Sequence, residues 1–287
     1  MLQDQILNTL LLQTIETDYD KVGKYNQDAV NGFTDEILDA MIECVAPSPW
    51  LRILDAMAGD GNLTQRLYHY CGRCGIPAPE MVLLECSKVQ CDIARTQLEG
   101  TPAQVIWGDV LRMENFVTGK TFSPAIFDRV MIKSGNHEIP LSRQTELYES
   151  VYHVLRPGGY FVNLGFLYDD VAERDEFRKL VRFKDRTAGL LDATRNRHVL
   201  TRDEFYAWLH QVGFVDVQCV RHIHYTIHSR IGIQAYYPVA RWERMHAALQ
   251  AQWAKAMTLR RNGRIHFHGD SGVLTCPGEI TLARRPL

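Results

Sequence analysis

The chain has 287 residues, 46% of them hydrophobic, with 32 basic against 34 acidic side chains. That supplies one large core or two modest ones. The charge balance excludes a field that would pull the whole chain onto nucleic acid or an anionic membrane. No run reaches the roughly 20 apolar residues of a membrane-spanning helix. The opening "MLQDQILNTLLLQ" lacks a basic start and carries Asp4, and the seven cysteines are an odd number. Both features favour a cytoplasmic protein with reduced thiols over an exported one.

In chain order, residues 2–15 place Leu2, Ile6, Leu7, Leu10 and Ile15 at helical spacing. A second helix is expected from Thr34 to Cys44, and the prolines of "APSPW" stop it. Strands at 52–57, 81–86, 103–109 and 127–133 then alternate with helices at 62–70, 88–98 and 143–155, and "RPGGYFVNLGF" adds a turn and a fifth strand. Short apolar strands separated by helices predict right-handed crossovers and a parallel sheet covered on both faces. Beyond it come a helix at 202–212, a strand at 214–227, a helix at 239–260 and strands at 264–268 and 278–286. The organisation predicted is an N-terminal helical cap (1–45), a cofactor-binding core (46–167) and a lid insertion (168–200). A core helix and strand (201–227), a cap insertion (228–275) and a terminal core strand (276–287) complete it. The three pieces outside the sheet should cover the carboxyl ends of the strands, where open α/β sheets bind ligands.

Residues 53–62, "ILDAMAGDGN", end an apolar run in a glycine loop that holds Asp55 and Asp60. A helix starting near Gly61 would present unpaired N–H groups and a partial positive charge, the usual seat of a phosphate. Asp60 beside that seat would repel a pyrophosphate, and Thr64 stands where G-x-G-x-x-G needs its third glycine. A nucleoside carrying cationic groups suits the two acids better, which points to S-adenosylmethionine. Glu85 closes the second strand, where a carboxylate can accept both ribose hydroxyl protons, and Asp109 closes the third, placed to accept from an adenine amine. Acids at strand ends also cap following helices, so it is the succession of the two that carries weight.

In order and spacing, "ILDAMAGDGN", "LLECS", "WGDV", "FDRVMIKSGNHEI" and "LRPGGYFVNLG" resemble the class I S-adenosylmethionine-dependent methyltransferases of small-molecule type, over roughly residues 50–165 plus the terminal strands. The resemblance implies a Rossmann-like, doubly wound α/β sheet of seven strands, the last antiparallel, with a cap of N-terminal helices and two insertions. By motif position it implies Asp55 and Gly59 near the amino-acid part of the cofactor, Glu85 on the ribose and Asp109 with Val110 on the adenine, with Ala56, Asn62 and Cys86 also in the cofactor site. Tyr19 and Tyr25 in "YDKVGKYN" look like the tyrosines that close over the cofactor, and Lys133 would line its pocket. One departure stands out: Met57 occupies the usual first loop glycine, where a side chain discourages positive φ.

Methyl transfer is an in-line displacement that asks little of side chains beyond positioning and, for a protonated nucleophile, a base. His137 and Glu138, after the fourth strand, are the base candidates, and Asn136, Tyr168, His224 and Tyr236 are candidate substrate contacts. The absence of a [DNS]-P-P-[YFW] pattern lowers methylation of nucleobase or amide nitrogens. Cys71 and Cys74 have metal-like spacing without a second suitable pair, so no metal is expected. His222 with His224, and His266 with His268, alternate onto single strand faces and would converge only if those strands were neighbours. Arg182, Arg186, Arg195 and Arg197 could hold a substrate carboxylate, although the interspersed acids favour a solvated face. The expected activity is transfer of a methyl group to a small molecule, in quinone-like or natural-product metabolism. Its partners would be that acceptor alone, without nucleic acid or membrane, and a homodimer is compatible with the sequence. Methylation of a nucleic acid or protein, and a fold that binds the cofactor without methyl transfer, are the alternatives.

Overall fold

The computed structural model describes residues 33–229, 239–269 and 271–287. The expected helix at 2–15 and the candidate residues Tyr19, Tyr25 and Tyr236 lie outside them.

Helix α1 (Asp35–Val45) starts as expected, with the Thr34 hydroxyl accepting from the Ile37 N–H, and ends at Ala46 in a left-handed conformation. Strand β1 (Arg52–Ala56) follows, then α2 (Asn62–Cys74), β2 (Glu80–Glu85), α3 (Lys88–Gln97), β3 (Gln104–Asp109) and the two-residue β4 (Glu114–Asn115). Next come β5 (Phe127–Lys133), α4 (Gln144–Val154) and β6 (Leu155–Tyr168). The later elements are α5 (Val171–Ala188), α6 (Leu191–Asn196), β7 (Leu200–Thr201), α7 (Arg202–Val212) and β8 (Val215–His228). Helices α8 (Val239–Lys255) and α9 (Met257–Arg261) lead to β9 (Ile265–His268) and β10 (Ser271–Arg284).

The sheet runs β4-β3-β2-β1-β5-β6-β10-β8, with β7 attached to β6 and β9 to β10. Pairings among β3, β2, β1, β5 and β6 are parallel, and β10 is antiparallel to both β6 and β8. The seven expected strands and the antiparallel last one are all present. Ile53, Leu54 and Ala56 in β1, and Met81 to Leu84 in β2, are buried on both faces, as central parallel strands require. One core layer sets α4 and α7 on the sheet through Leu147, Tyr148, Val151, Phe205 and Leu209. The opposite layer uses Met41, Ile42, Leu63, Leu67 and Ala94 of α1, α2 and α3.

The last long strand differs from expectation, whereas β8 lies where it was expected. Strand β10 begins at Ser271 rather than 278, and its pairing with β8 runs from Val273↔His228 to Arg284↔Val215. The sheet itself therefore extends past the level of the glycine loop. A third apolar cluster sits on that extension, packing Phe177 and Leu180 of α5 with Leu249 and Trp253 of α8 over Tyr225 and Leu274. The cap is thus a small core of its own, built against prolonged strands. Among the described residues, no helix is long and apolar enough to cross a membrane.

Candidate active site

A cavity opens at the carboxyl ends of β1, β2, β3 and β5, with Gly59, Glu85, Asp109, Val110 and Lys133 on its wall. Met57 takes φ +60° despite its side chain, with Gly59 at +57° and Gly61 at +81°. A left-handed non-glycine residue costs roughly 1–2 kcal/mol, and packing offsets it here. Met57 lies against Gly135 so closely that a Cβ there would sit 2.7 Å from its sulfur. The expected resistance of Met57 to positive φ is therefore overcome by tertiary contact.

Glu85 fastens this loop to the end of β2. Its Oε2 accepts from the Gly59 N–H at 2.9 Å and its Oε1 from the Ser87 N–H at 2.8 Å. Burial pushes the carboxyl up, and these bonds pull it back down. Cys86 shares the same stretch of wall. Asp109 accepts from the Leu111 N–H at 2.9 Å and from Arg112 Nε at 3.1 Å, which fixes its direction beside Val110.

Three expected cofactor residues lie off the wall. Asp55 is buried behind the loop, where its Oδ2 accepts from the Thr64 hydroxyl at 2.7 Å, and burial pushes its carboxyl up to about 7. Ala56 is fully buried in β1, and Asn62 is exposed at the first turn of α2. The strand ends at Ala56, and Met57, Ala58 and Gly59, which follow it, form the wall instead. The other loop acid, Asp60, accepts from the Asn62 N–H at 3.1 Å. A helix N-terminus already supplied with a carboxylate is a poor seat for phosphate.

A second cavity adjoins the first, and His137, Phe166 and Tyr225 belong to the walls of both. The remainder is mostly apolar, including Phe177, Leu180, Leu249 and Trp253 from the cap. His137 sits in a single 3₁₀ turn, Asn136–Glu138, reached through Ser134 at φ +53°. Gln144 Nε2 donates to the Asn136 and Ile139 carbonyls, and the His198 N–H donates to the His137 carbonyl at 2.8 Å. The turn is thus held from α4 on one side and from the lid segment on the other.

His137 Nε2 donates to Glu138 Oε1 at 2.9 Å, and its Nδ1 is buried without a hydrogen-bond partner. Arg197, at the end of the lid, bridges Glu138 and Asp185 at 2.9 Å each. Arg197 is therefore a buried, paired cation rather than a solvated one, and it lies on the wall of the second cavity.

The substrate candidates fare differently. Asn136 turns its amide toward Asn163 and Gly165 inside the core. Tyr168 is sealed against Phe177 in the cap core, and burial pushes its hydroxyl well up. His224 is exposed because Ile223 and Tyr225, its neighbours in the alternation, point inward. The residues that do line the second cavity were readable as period-2 and i, i+4 apolar partners: Tyr225 with Ile227, and Leu249 with Trp253.

The histidine pairs do not converge, because β10 lies between β8 and β9 and all four rings are exposed. Cys219, His222 and Glu279 bring metal-type atoms within 4.8 Å of one another. The Glu279 carboxylate, however, already takes Arg202 Nε at 2.6 Å and the Tyr206 hydroxyl at 2.7 Å.

Residues 53–159 match the family model described as a methyltransferase domain. No curated protein sequence matches the chain significantly. Among solved structures, a candidate methyltransferase from Bacillus halodurans superposes with a TM-score of 0.70 at 14% identity, covering 88% of this chain and 100% of its own. Phosphoethanolamine N-methyltransferase 2 of Haemonchus contortus, in complex with phosphomonomethylethanolamine and S-adenosylhomocysteine, gives 0.57 at 14% identity, over 94% of this chain and 56% of its own. The [4+2]-cyclase SpnF gives 0.54 at 15% identity, over 88% and 82%. At such identities the likeness carries the fold alone. Residues 53–159 are thus a methyltransferase domain within a methyltransferase-type fold, and S-adenosylmethionine is the cofactor that such a domain implies. The first cavity fits that group: Glu85 and Asp109 wall it at the ends of β2 and β3, and Asp60 already takes the Asn62 N–H at the helix start beside it.

Proposed function

We propose that the chain methylates a small, largely apolar molecule held in the second cavity, of the kind found in quinone-like or natural-product metabolism. The observation that carries this reading is the shared wall: His137, Phe166 and Tyr225 face both spaces, so a cofactor in one meets an acceptor in the other. S-adenosylmethionine, when bound, supplies a methyl group on a positively charged sulfur. The protein's part is alignment, worth about 7–11 kcal/mol when reacting atoms are held near attack geometry. Phe166, Phe177, Leu249 and Trp253 exclude water and grip a flat apolar body. His137 takes the proton of a hydroxyl nucleophile, with Glu138 fixing the ring and stabilising the imidazolium that results.

The test is incubation with isotopically labelled S-adenosylmethionine and a panel of phenols, hydroquinones and amines of graded polarity. Labelled product and S-adenosylhomocysteine should appear one to one, with apolar aromatic hydroxyl acceptors preferred. Conversion of an acceptor with no S-adenosylhomocysteine formed would refute methyl transfer, and exclusive labelling of protein or RNA would refute the small-molecule assignment.

A further inference from the structure

Lys133 lies half-buried on the wall of the cofactor cavity, at the end of β5. Among the described residues its ammonium has no ion pair; its nearest aromatic contact is the Phe33 ring, 5.8 Å from Nζ. The two acids within electrostatic reach, Asp55 and Asp60, are hydrogen-bonded to Thr64 and to the Asn62 N–H. An ammonium withdrawn from water without a partner is costly, and the open side of this half-buried one is the cavity.

Strand order says which part of a ligand arrives there. Asp109 ends β3, Glu85 ends β2, and Lys133 ends β5, two strands further on across β1. With strands about 4.8 Å apart, a nucleoside with its base at Asp109 and ribose at Glu85 extends its amino-acid arm over β1 toward Lys133. The only anionic group on that arm is a carboxylate.

We propose that Lys133 anchors the carboxylate of the cofactor's methionine part and thereby lets the cavity distinguish S-adenosylmethionine from its decarboxylated form. The inference rests on the cofactor reading above. It also accounts for a cation beside a sulfonium: paired with the carboxylate, Lys133 adds no net repulsion, whereas facing a decarboxylated arm it opposes the ligand's charge.

Isothermal titration of the full chain with S-adenosylmethionine and with its decarboxylated form tests this. Wild-type protein should prefer the intact cofactor by about 10- to 100-fold, the worth of one charge-assisted pair. Lys133→Met should bring the two affinities within about threefold, and Lys133→Arg should retain most of the preference. Retained binding of the decarboxylated ligand by Lys133→Met shows that the cavity is intact. An unchanged preference in Lys133→Met overturns the lysine assignment alone. Wild-type protein that binds neither ligand overturns the cofactor reading and this inference with it.

Discussion

The first cavity and the second, proposed for the acceptor, share three side chains but are built on opposite principles. The first is assembled from strand ends and one glycine loop, all inside the regular α/β core, and its recognition groups are charged. The second is assembled from α5, α8 and the extensions of β6, β8 and β10, and its wall is dominated by aromatic and aliphatic side chains. A ligand common to a whole family can be read by groups that the fold must place anyway, at the mouths of successive strands. An acceptor peculiar to one member needs a surface free to vary, and on the proposed reading the insertions supply it. His137 stands where the two meet, tied by backbone to the lid and by side chain to Glu138.

That division can be broken most severely at Arg197. Its guanidinium joins the lid's Asp185 to the active-site Glu138, and both carboxylates are largely or wholly buried. Arg197→Met removes the cation shared by the two carboxylates, leaving Asp185 only Lys184 at 3.4 Å, so unfolding free energy should fall by up to about 3–5 kcal/mol. Urea denaturation measures it; a loss below 1 kcal/mol would mean that lid and core are energetically separate. At the junction itself, His137→Ala should lower kcat by about 10²–10⁴ for a hydroxyl acceptor while leaving cofactor affinity near wild type. A wild-type pH–rate profile in that variant would remove the histidine from the chemistry. On the cofactor side, Asp109→Ala should weaken S-adenosylhomocysteine binding by about 10-fold, one hydrogen bond's worth, without changing the acceptor KM. Calorimetry reads the first quantity and steady-state kinetics the second.

The same division explains what could be read from the residues in order. Glu85 and Asp109 were legible because a strand's last residue must face the mouth of the sheet, whatever surrounds it. His137 and Glu138 were legible by the same logic, one turn beyond β5. Asp55 was not, since its distinction from Met57 depends on where the turn begins and on Thr64, nine residues away, reaching back to it. Phe166 and Tyr168 share one face of β6 by parity, yet only the placement of α5 makes the first a cavity wall and seals the second against Phe177. Alternation in "RHIHYTIH" was visible, but it drew attention to the histidines, whereas the inward set is Ile223, Tyr225 and Ile227. Local pattern supplies the parity of a strand; the cap decides which parity counts.

The smallest effect tests whether the buried acid of the cofactor side belongs to the charged design at all. Burial lifts the Asp55 carboxyl from an ordinary 3.8 to about 7, so between these values the folded chain keeps a proton that the unfolded chain has lost. Stability from this group is complete below about pH 3.8 and is lost as pH rises through 7. His198 acts in the opposite sense: burial lowers it from 6.5 to about 4, so its contribution is present above 6.5 and lost as pH falls through 4. The two oppose each other between about pH 4 and 6.5, which would hide either one in a single curve. Asp55→Asn isolates the first, because the amide keeps the shape and cannot ionise. Thermal midpoints of the ligand-free chain from pH 5 to 8 should show the variant gaining on wild type as pH rises, with the gain levelling off above about 7. Parallel curves would place Asp55 among ordinary ionised carboxylates and leave Glu85 and Asp109 as the acids that matter to the cavity.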